Sequence, residues 1–149
     1  MTRADTALSA EASMAMRVLV VDDEPFILRS LTFVLERAGF EVFQARDGEE
    51  ALEVLREARP AVCLLDVMMP RRSGYEVCES IRADPVLRGT YVMLLTAKGQ
   101  DSARERGMHA GCDEYLTKPF SPSAIVERVR AACQGPALLR AAEPGLRAH

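Results

Sequence analysis

The chain has 149 residues, of which 48% are hydrophobic and 28% are charged. These proportions are typical of globular proteins and exclude fibrous and disordered chains, and the length suits one domain with its own core. The 19 basic and 22 acidic residues give a net charge of −3. Because no basic run is present, the charge pattern argues against a nucleic-acid surface and a polybasic membrane anchor. We therefore expect one globular domain with no direct DNA binding and no membrane attachment.

The four cysteines and the amino-terminal segment indicate a cytoplasmic protein. The cysteines form no CxxC pair, which argues against a zinc site or a disulfide framework. The first fifteen residues carry charges and no apolar run, unlike a signal peptide. No stretch approaches the roughly 18 apolar residues of a membrane span. We expect reduced, buried thiols in a cytoplasmic protein.

Short apolar runs alternate with amphipathic helical patterns along the chain. A strand is predicted at Arg17–Val21, and a helix from Pro25 is predicted to end before Gly39. The later strands are predicted at Phe40–Ala45, Val62–Leu65, Tyr91–Leu95 and Glu114–Thr117, and the later helices at Glu49–Ala58, Gly74–Ala83, about Ser102–His109 and from Ser121-Pro122 onward. Continuous apolar strands are typical of strands covered on both faces. Five strand–helix cycles therefore predict an α/β fold, a doubly wound (βα)5 parallel sheet with right-handed crossovers.

The residues that follow the first, third, fourth and fifth predicted strands lie where the ligand site of a doubly wound sheet is expected. They are the acids Asp22, Asp23 and Asp66, the pair Thr96-Ala97, and the pair Lys118-Pro119. Each alone could be an ordinary loop residue, but three acids in one crevice repel one another unless a cation is bound. Carboxylate oxygens without nearby histidine or cysteine favour Mg²⁺, or Mn²⁺, over zinc.

The same residues suit phosphoryl transfer to a carboxylate. A bound cation would offset the acidic charge, and Lys118, one of only two lysines in the chain, would screen a phosphoryl group from the other side. One of the carboxylates could then attack phosphorus and form an aspartyl phosphate.

Five motifs, in matching order and spacing, resemble the CheY-like receiver domain of two-component response regulators. They are Val21-Asp22-Asp23-Glu24, Leu65-Asp66-Val67-Met68-Met69-Pro70, Gly74, Thr96-Ala97 and Tyr115-Leu116-Thr117-Lys118-Pro119-Phe120. The resemblance covers about Met16 to Gln134. It implies a flavodoxin/CheY-like sheet of strand order 2-1-3-4-5. We expect residues 16–134 to form the receiver domain, residues 1–15 a flexible extension, and residues 135–149 a tail or linker remnant.

The resemblance also implies a role for each acidic position. Asp66 matches the phosphoacceptor. Asp22 and Asp23 match the acidic pair that holds Mg²⁺, with Asp66 and the backbone carbonyl of Met68 as further ligands.

The remaining matched positions concern the phosphoryl group and the switch. Lys118 matches the lysine that pairs with the phosphoryl group in the family. By the same resemblance, the Lys118–Pro119 bond is expected to be cis. Thr96, followed by Ala97, matches the switch hydroxyl. Tyr115 matches the aromatic residue that turns inward when that hydroxyl moves to the phosphate.

By resemblance the chain is a signalling receiver that catalyses only its own phosphorylation and dephosphorylation. Its expected partners are a histidine kinase or histidine phosphotransfer protein and a downstream protein target. A monomer and a phosphorylation-dependent dimer are both compatible with the sequence. Phe26 and Ile27, at the start of the first helix, match an edge that contacts the partner histidine domain in the family.

Four alternatives stay open on the sequence alone. The chain could be a relay intermediate that passes phosphate to a phosphotransfer protein, or a receiver fragment of a longer regulator. An aspartyl-nucleophile phosphatase would need a second acid two residues after the nucleophile, where Met68 stands. A flavin or nucleotide carrier would need a phosphate-binding loop after the first strand, where this chain has acidic residues instead.

Overall fold

The computed structural model describes residues 16–97, 106–107 and 109–134. The strands in this part of the chain are β1 (Arg17–Val21), β2 (Glu41–Ala45), β3 (Val62–Asp66), β4 (Tyr91–Ala97) and β5 (Glu114–Lys118). The helices are α1 (Pro25–Arg37), α2 (Gly48–Ala58), α3 (Gly74–Ala83) and α4 (Pro122–Gln134). All strand pairs are parallel, and the sheet order is β2-β1-β3-β4-β5. This order confirms the predicted doubly wound fold.

Some predictions lie outside the described residues. These are the extension at 1–15, the tail at 135–149 and most of the helix predicted at about Ser102–His109. From that helix and its end the structure describes Arg106, Gly107, His109 and Ala110, which are helical. None of the helices in the described ranges is long and apolar enough to cross a membrane.

The core has two layers because alternate strand residues point to opposite faces of the sheet. In β1, Leu19 and Val21 pack with residues of α2 and α3 on one face. Val18 and Val20 pack with residues of α1 and α4 on the other face. All four side chains are fully buried. Burial on both faces explains why β1 reads as a continuous apolar run.

Three strands extend further toward the site than the apolar pattern predicts. Strand β3 includes Asp66, which pairs with Leu95, and β4 continues through Thr96 and Ala97 to pair with β5. Ala97 pairs with Lys118, the last residue of β5. Backbone pairing with neighbouring strands extends these elements, although the added residues include the polar Asp66, Thr96 and Lys118. The polar residues at these positions are therefore held by the sheet and not by free loops.

Side-chain caps begin α2 and α3. Asp47 caps α2 by accepting from the Glu50 N–H at 2.9 Å. Ser73 begins α3 with a capping box, in which its hydroxyl accepts from the Glu76 N–H and the Glu76 carboxylate accepts from the Ser73 N–H. These caps define where the adjoining loops end.

Candidate functional site

Three carboxylates meet at the carboxyl ends of β1 and β3. Asp22, Asp23 and Asp66 each offer an oxygen, and these oxygens all lie within 4.8 Å of one another. Asp22 is fully buried and Asp66 is 6% exposed, whereas Asp23 is exposed. The sheet creates this cluster because β1 and β3 are hydrogen-bonded neighbours. The structure therefore brings together the three acids that the sequence places at strand ends.

Lys118 lies against two of these acids. Its Nζ is 3.1 Å from Asp22 Oδ2 and 3.4 Å from Asp66 Oδ1. The other oxygen of Asp22, Oδ1, accepts from the Glu24 N–H at 2.9 Å. Burial opposes the charge on Lys118, but Asp66 and Asp22 outweigh it and raise the pKa of the ammonium group. Lys118 is therefore charged and partly offsets the acidic pocket.

The carboxyl group of Asp66 has a strongly perturbed affinity for protons. Burial, followed by the charge of Asp22, raises the pKa of Asp66 from 3.8 to about 6. Lys118 and a hydrogen bond from the Met68 N–H oppose this rise but do not cancel it. One lysine therefore does not fully compensate the buried negative charge, and additional positive charge at this place favours the ionised carboxylate.

This arrangement fits a hard divalent cation. The cluster offers only carboxylate oxygens, one of its members is exposed to solvent, and the net charge of the three acids and Lys118 is negative. Mg²⁺ prefers oxygen ligands and commonly keeps several waters. The donor set of Asp22, Asp23 and Asp66 therefore suits Mg²⁺.

The loop after the acidic residue of β3, residues 67–73, is named the acceptor loop here. Its first residue continues the sheet, because the Val67 N–H donates to Leu95 O at 3.0 Å. The Gly74 N–H donates back to Val67 O at 2.9 Å, which closes the loop at its base. A Cβ at Gly74 would lie 2.5 Å from the backbone oxygen of Asp66. Only glycine therefore fits at this closure. Within the same loop, the Met68 side chain is 64% exposed.

Thr96 and Tyr115 are in contact with each other. The Thr96 side chain is buried, and its Oγ1 lies 3.3 Å from the Tyr115 hydroxyl and 3.3 Å from Ala97 O. Tyr115 is partly buried and packs against the core cluster on the α2 and α3 face. The ring of Tyr115 therefore points inward, behind the Thr96 hydroxyl near the end of β4.

An apolar pocket adjoins the lysine side of the site. The Lys118–Pro119 peptide bond is cis. A pocket of about 550 Å³ lies beside it and is lined by Phe26, Ile27, Ser30, Leu31, Ala97, Lys118, Pro119, Phe120 and Pro122. Sequence reasoning singled out Phe26 and Ile27 but missed the contribution of Phe120 and Pro122. These two residues follow β5, and no periodic pattern shows that they face α1.

Comparison with known proteins identifies the family. Residues 18–130 match the family model of the response regulator receiver domain. The chain belongs to this family. Members bind Mg²⁺ at an acidic pocket and act with histidine kinases.

Curated relatives match over the receiver part. The phosphate regulon transcriptional regulatory protein PhoB of Escherichia coli is 42% identical over 118 residues, which are 79% of this chain and 52% of PhoB. The DNA-binding response regulator MtrA of Mycolicibacterium smegmatis is 43% identical over 119 residues, which are 80% of this chain and 51% of MtrA. The chain thus spans about half the length of the curated relatives it matches.

Two solved structures match the receiver fold over nearly their whole length. A putative response regulator of Chloroflexus aurantiacus has a TM-score of 0.76 at 37% identity, covering 80% of this chain and 98% of that chain. The chemotaxis response regulator CheY4 of Vibrio cholerae has a TM-score of 0.74 at 32% identity, covering 78% of this chain and 98% of that chain.

Proposed function

We propose that Asp66 is the phosphoacceptor of this receiver and takes a phosphoryl group from a phosphohistidine of a kinase or a phosphotransfer protein. The observation that carries the proposal is the position of Asp66. It is buried, it lies within 4.8 Å of two further carboxylates, and it lies 3.4 Å from the only lysine among the described residues. In the transfer, an oxygen of Asp66 forms a bond to phosphorus. The phosphorus–nitrogen bond breaks, and the histidine nitrogen leaves with the electron pair and takes up a proton from solvent.

The surrounding groups supply charge and hydrogen bonds. Asp22, Asp23, Asp66 and the backbone carbonyl of Met68 would hold Mg²⁺, which supplies positive charge to the phosphoryl oxygens when it is bound. Lys118 already contacts the acceptor. Its positive charge would offset the negative charge on the oxygens of a transferred phosphoryl group. The Met68 N–H, which donates to the acceptor carboxylate, is placed to donate to a phosphoryl oxygen instead.

Thr96 and Tyr115 are proposed to report the chemical state of Asp66. Thr96 lies in β4, the neighbour of β3, and its hydroxyl is 3.3 Å from the Tyr115 hydroxyl. A phosphoryl group on Asp66 offers new acceptor oxygens to Thr96, which would end its contact with Tyr115 and change the position of the tyrosine. Phosphorylation would act by biasing an existing equilibrium between two conformations.

The apolar pocket beside Lys118 supports a docking place for the phosphodonor. Nearly all of the pocket lining is apolar, and Phe26 at its edge is 69% exposed. A large exposed aromatic side chain at the edge of an apolar pocket favours contact with an apolar partner surface. We propose that the donor histidine approaches Asp66 from this side.

We propose that residues 16–134 carry out the receiver step and pass the signal on through a partner-binding surface. PhoB and MtrA are by name a transcriptional regulator and a DNA-binding response regulator, and this chain covers about half of each. We expect no direct DNA contact by residues 16–134. A specific, saturable gel shift with the phosphorylated chain would overturn that expectation.

Phosphorylation by a small donor tests the proposed function. We expect acetyl phosphate and Mg²⁺ to add about 80 Da per phosphoryl group to the intact protein. The mass increase should disappear in Asp66→Ala and without Mg²⁺. No mass increase in the wild type, or the same increase in Asp66→Ala, would refute the assignment.

A further inference from the structure

The acceptor loop contacts the start of α2 at a glycine. A Cβ built on Gly48 would lie 2.5 Å from Arg72 Cβ and 2.9 Å from Arg72 O. It would also lie 3.0 Å from a methyl carbon of Val77 in α3. Two of these neighbours belong to the loop and one of them is backbone, so a methyl group could be accommodated only if the loop moved.

Ion pairs flank this contact. Arg71 Nη1 is 3.2 Å from Asp47 Oδ2, and Arg72 Nε is 2.9 Å from Glu49 Oε2. The Arg71 side chain is 68% exposed and the Arg72 side chain 41% exposed. Exposed ion pairs of this kind are weak. The close approach at Gly48 therefore constrains the loop tip more than these ion pairs do.

The loop that rests on Gly48 also contacts the proposed acceptor. At its start, the Met68 N–H donates to the carboxylate of Asp66. Its base is closed by the Gly74 N–H bond to Val67 O, and its tip contains an internal bond from the Arg72 N–H to Pro70 O at 2.8 Å. Arg71 has a φ of 71°, which marks a tight, specified turn. A loop closed at its base and bonded within its tip has little freedom to absorb a shift of Arg72.

We propose that Gly48 is a positioning residue for phosphoryl acceptance. Its bare Cα lets the acceptor loop lie against α2, and this contact holds the N–H and the carbonyl of Met68 at Asp66. The inference rests on the proposed function of Asp66 and adds a residue outside the acidic pocket, on a different helix. The role concerns the position of backbone groups, so Gly48 touches neither the cation nor the phosphoryl group.

The test is Gly48→Ala in the full chain, with Gly89→Ala as the matched control. A Cβ at Gly89 would have no heavy atom within 4 Å. Alanine favours a helix over glycine, so an effect through helix stability alone would make Gly48→Ala neutral or more stable. We instead expect the affinity for Mg²⁺ alone, measured by calorimetry, to fall by about tenfold, as for supporting residues of metal sites. Phosphorylation by acetyl phosphate at fixed Mg²⁺ should slow similarly, and the control should match the wild type in both measurements.

The amide resonance of Met68 gives a readout that does not depend on cation or phosphate. We expect its chemical shift to change in Gly48→Ala and to stay in place in Gly89→Ala. An unchanged Met68 resonance together with unchanged Mg²⁺ affinity would overturn the inference. If the wild type takes no phosphoryl group, the proposed function fails, whereas the Met68 comparison still decides whether Gly48 positions the loop.

A second variant distinguishes positioning from a folding defect. Arg72→Gly removes the Cβ that would lie 2.5 Å from a methyl group at residue 48. If Gly48→Ala folds poorly, the double variant Gly48→Ala with Arg72→Gly should fold and regain part of the Mg²⁺ affinity. Because Arg72→Gly alone loosens the loop, it serves as the reference for the double variant. No recovery relative to that reference would count against the proposed contact.

Discussion

Replacing Asp66 by asparagine should stabilise the metal-free protein at neutral pH. The side chain is 6% exposed, and burial together with the charge of Asp22 raises the pKa of Asp66 to about 6. Asparagine keeps the shape and an oxygen that accepts from the Met68 N–H, but it carries no charge. The substitution therefore removes a carboxylate that the folded protein disfavours in its ionised form.

The magnitude follows from linkage between proton binding and folding. A rise in pKa from 3.8 to about 6 corresponds to an upper limit of about 3 kcal/mol, at 1.36 kcal/mol per pH unit. Because the folded-state pKa is the higher one, the neutral carboxyl contributes stability below pH 3.8 that is lost as the pH rises through 6. At pH 7.5 we expect Asp66→Asn to gain about 1–3 kcal/mol, and at pH 4.5 about a third of that gain.

The assay is thermal unfolding in the presence of a chelator, followed by circular dichroism because the chain has no tryptophan. For a domain of this size, the expected gain raises the melting temperature at pH 7.5 by roughly 4–10 °C. Asp23→Asn, an exposed member of the same cluster, is the control and should change the melting temperature less. A loss of stability at pH 7.5, or an equal gain at both pH values, would refute the role of burial. Added Mg²⁺ should stabilise the wild type in preference to Asp66→Asn, because a ligand stabilises the state that binds it.

Three further outcomes follow from the described contacts. Arg82→Met should lower the free energy of unfolding, measured in urea, by about 3–5 kcal/mol. The reason is that Arg82 Nη2 lies 2.6 Å from the carboxylate of Asp113, whose side chain is fully buried. A loss below about 1 kcal/mol would contradict this. Lys118→Ala should slow phosphorylation by acetyl phosphate by about 10²–10³-fold, and an unchanged rate would exclude a role for this ammonium group. In native protein at pH 8, Ellman's reagent should react slowly with every cysteine except the partly buried Cys112. The other three thiols are buried, and burial raises the pKa of Cys78 to about 12. Rapid reaction of all four thiols would contradict the described burial.

Periodicity predicted the fold well where local pattern and tertiary packing agree. Strand β1 and helix α3 begin and end at the residues that the apolar pattern predicts. Local pattern says less about the buried face of α1, where Leu28, Leu31 and Leu35 are buried and Ile27 is only partly buried. The buried face is set by how α1 lies on the sheet, and a single helix does not contain that information.

The strand ends near the site show the same limit. Sequence patterns ended β3 before Asp66 and β4 before Thr96, because polar residues do not continue an apolar run. In the structure both residues belong to strands, since their backbones pair with strands that are distant in the chain. Pairing between distant strands therefore decides that Asp66 and Thr96 belong to the sheet and not to the loops that follow it.

The amino-acid sequence by itself determined the doubly wound fold and the gathering of Asp22, Asp23, Asp66 and Lys118 at one edge of the sheet. Alternating periods specify parallel strands, and the carboxyl ends of parallel strands share an edge. Only the tertiary structure decided that Lys118 contacts two acids at once, that burial raises the pKa of Asp66, and that the acceptor loop rests on Gly48. These properties depend on distances and solvent exclusion between segments far apart in the chain, and local sequence patterns do not encode them.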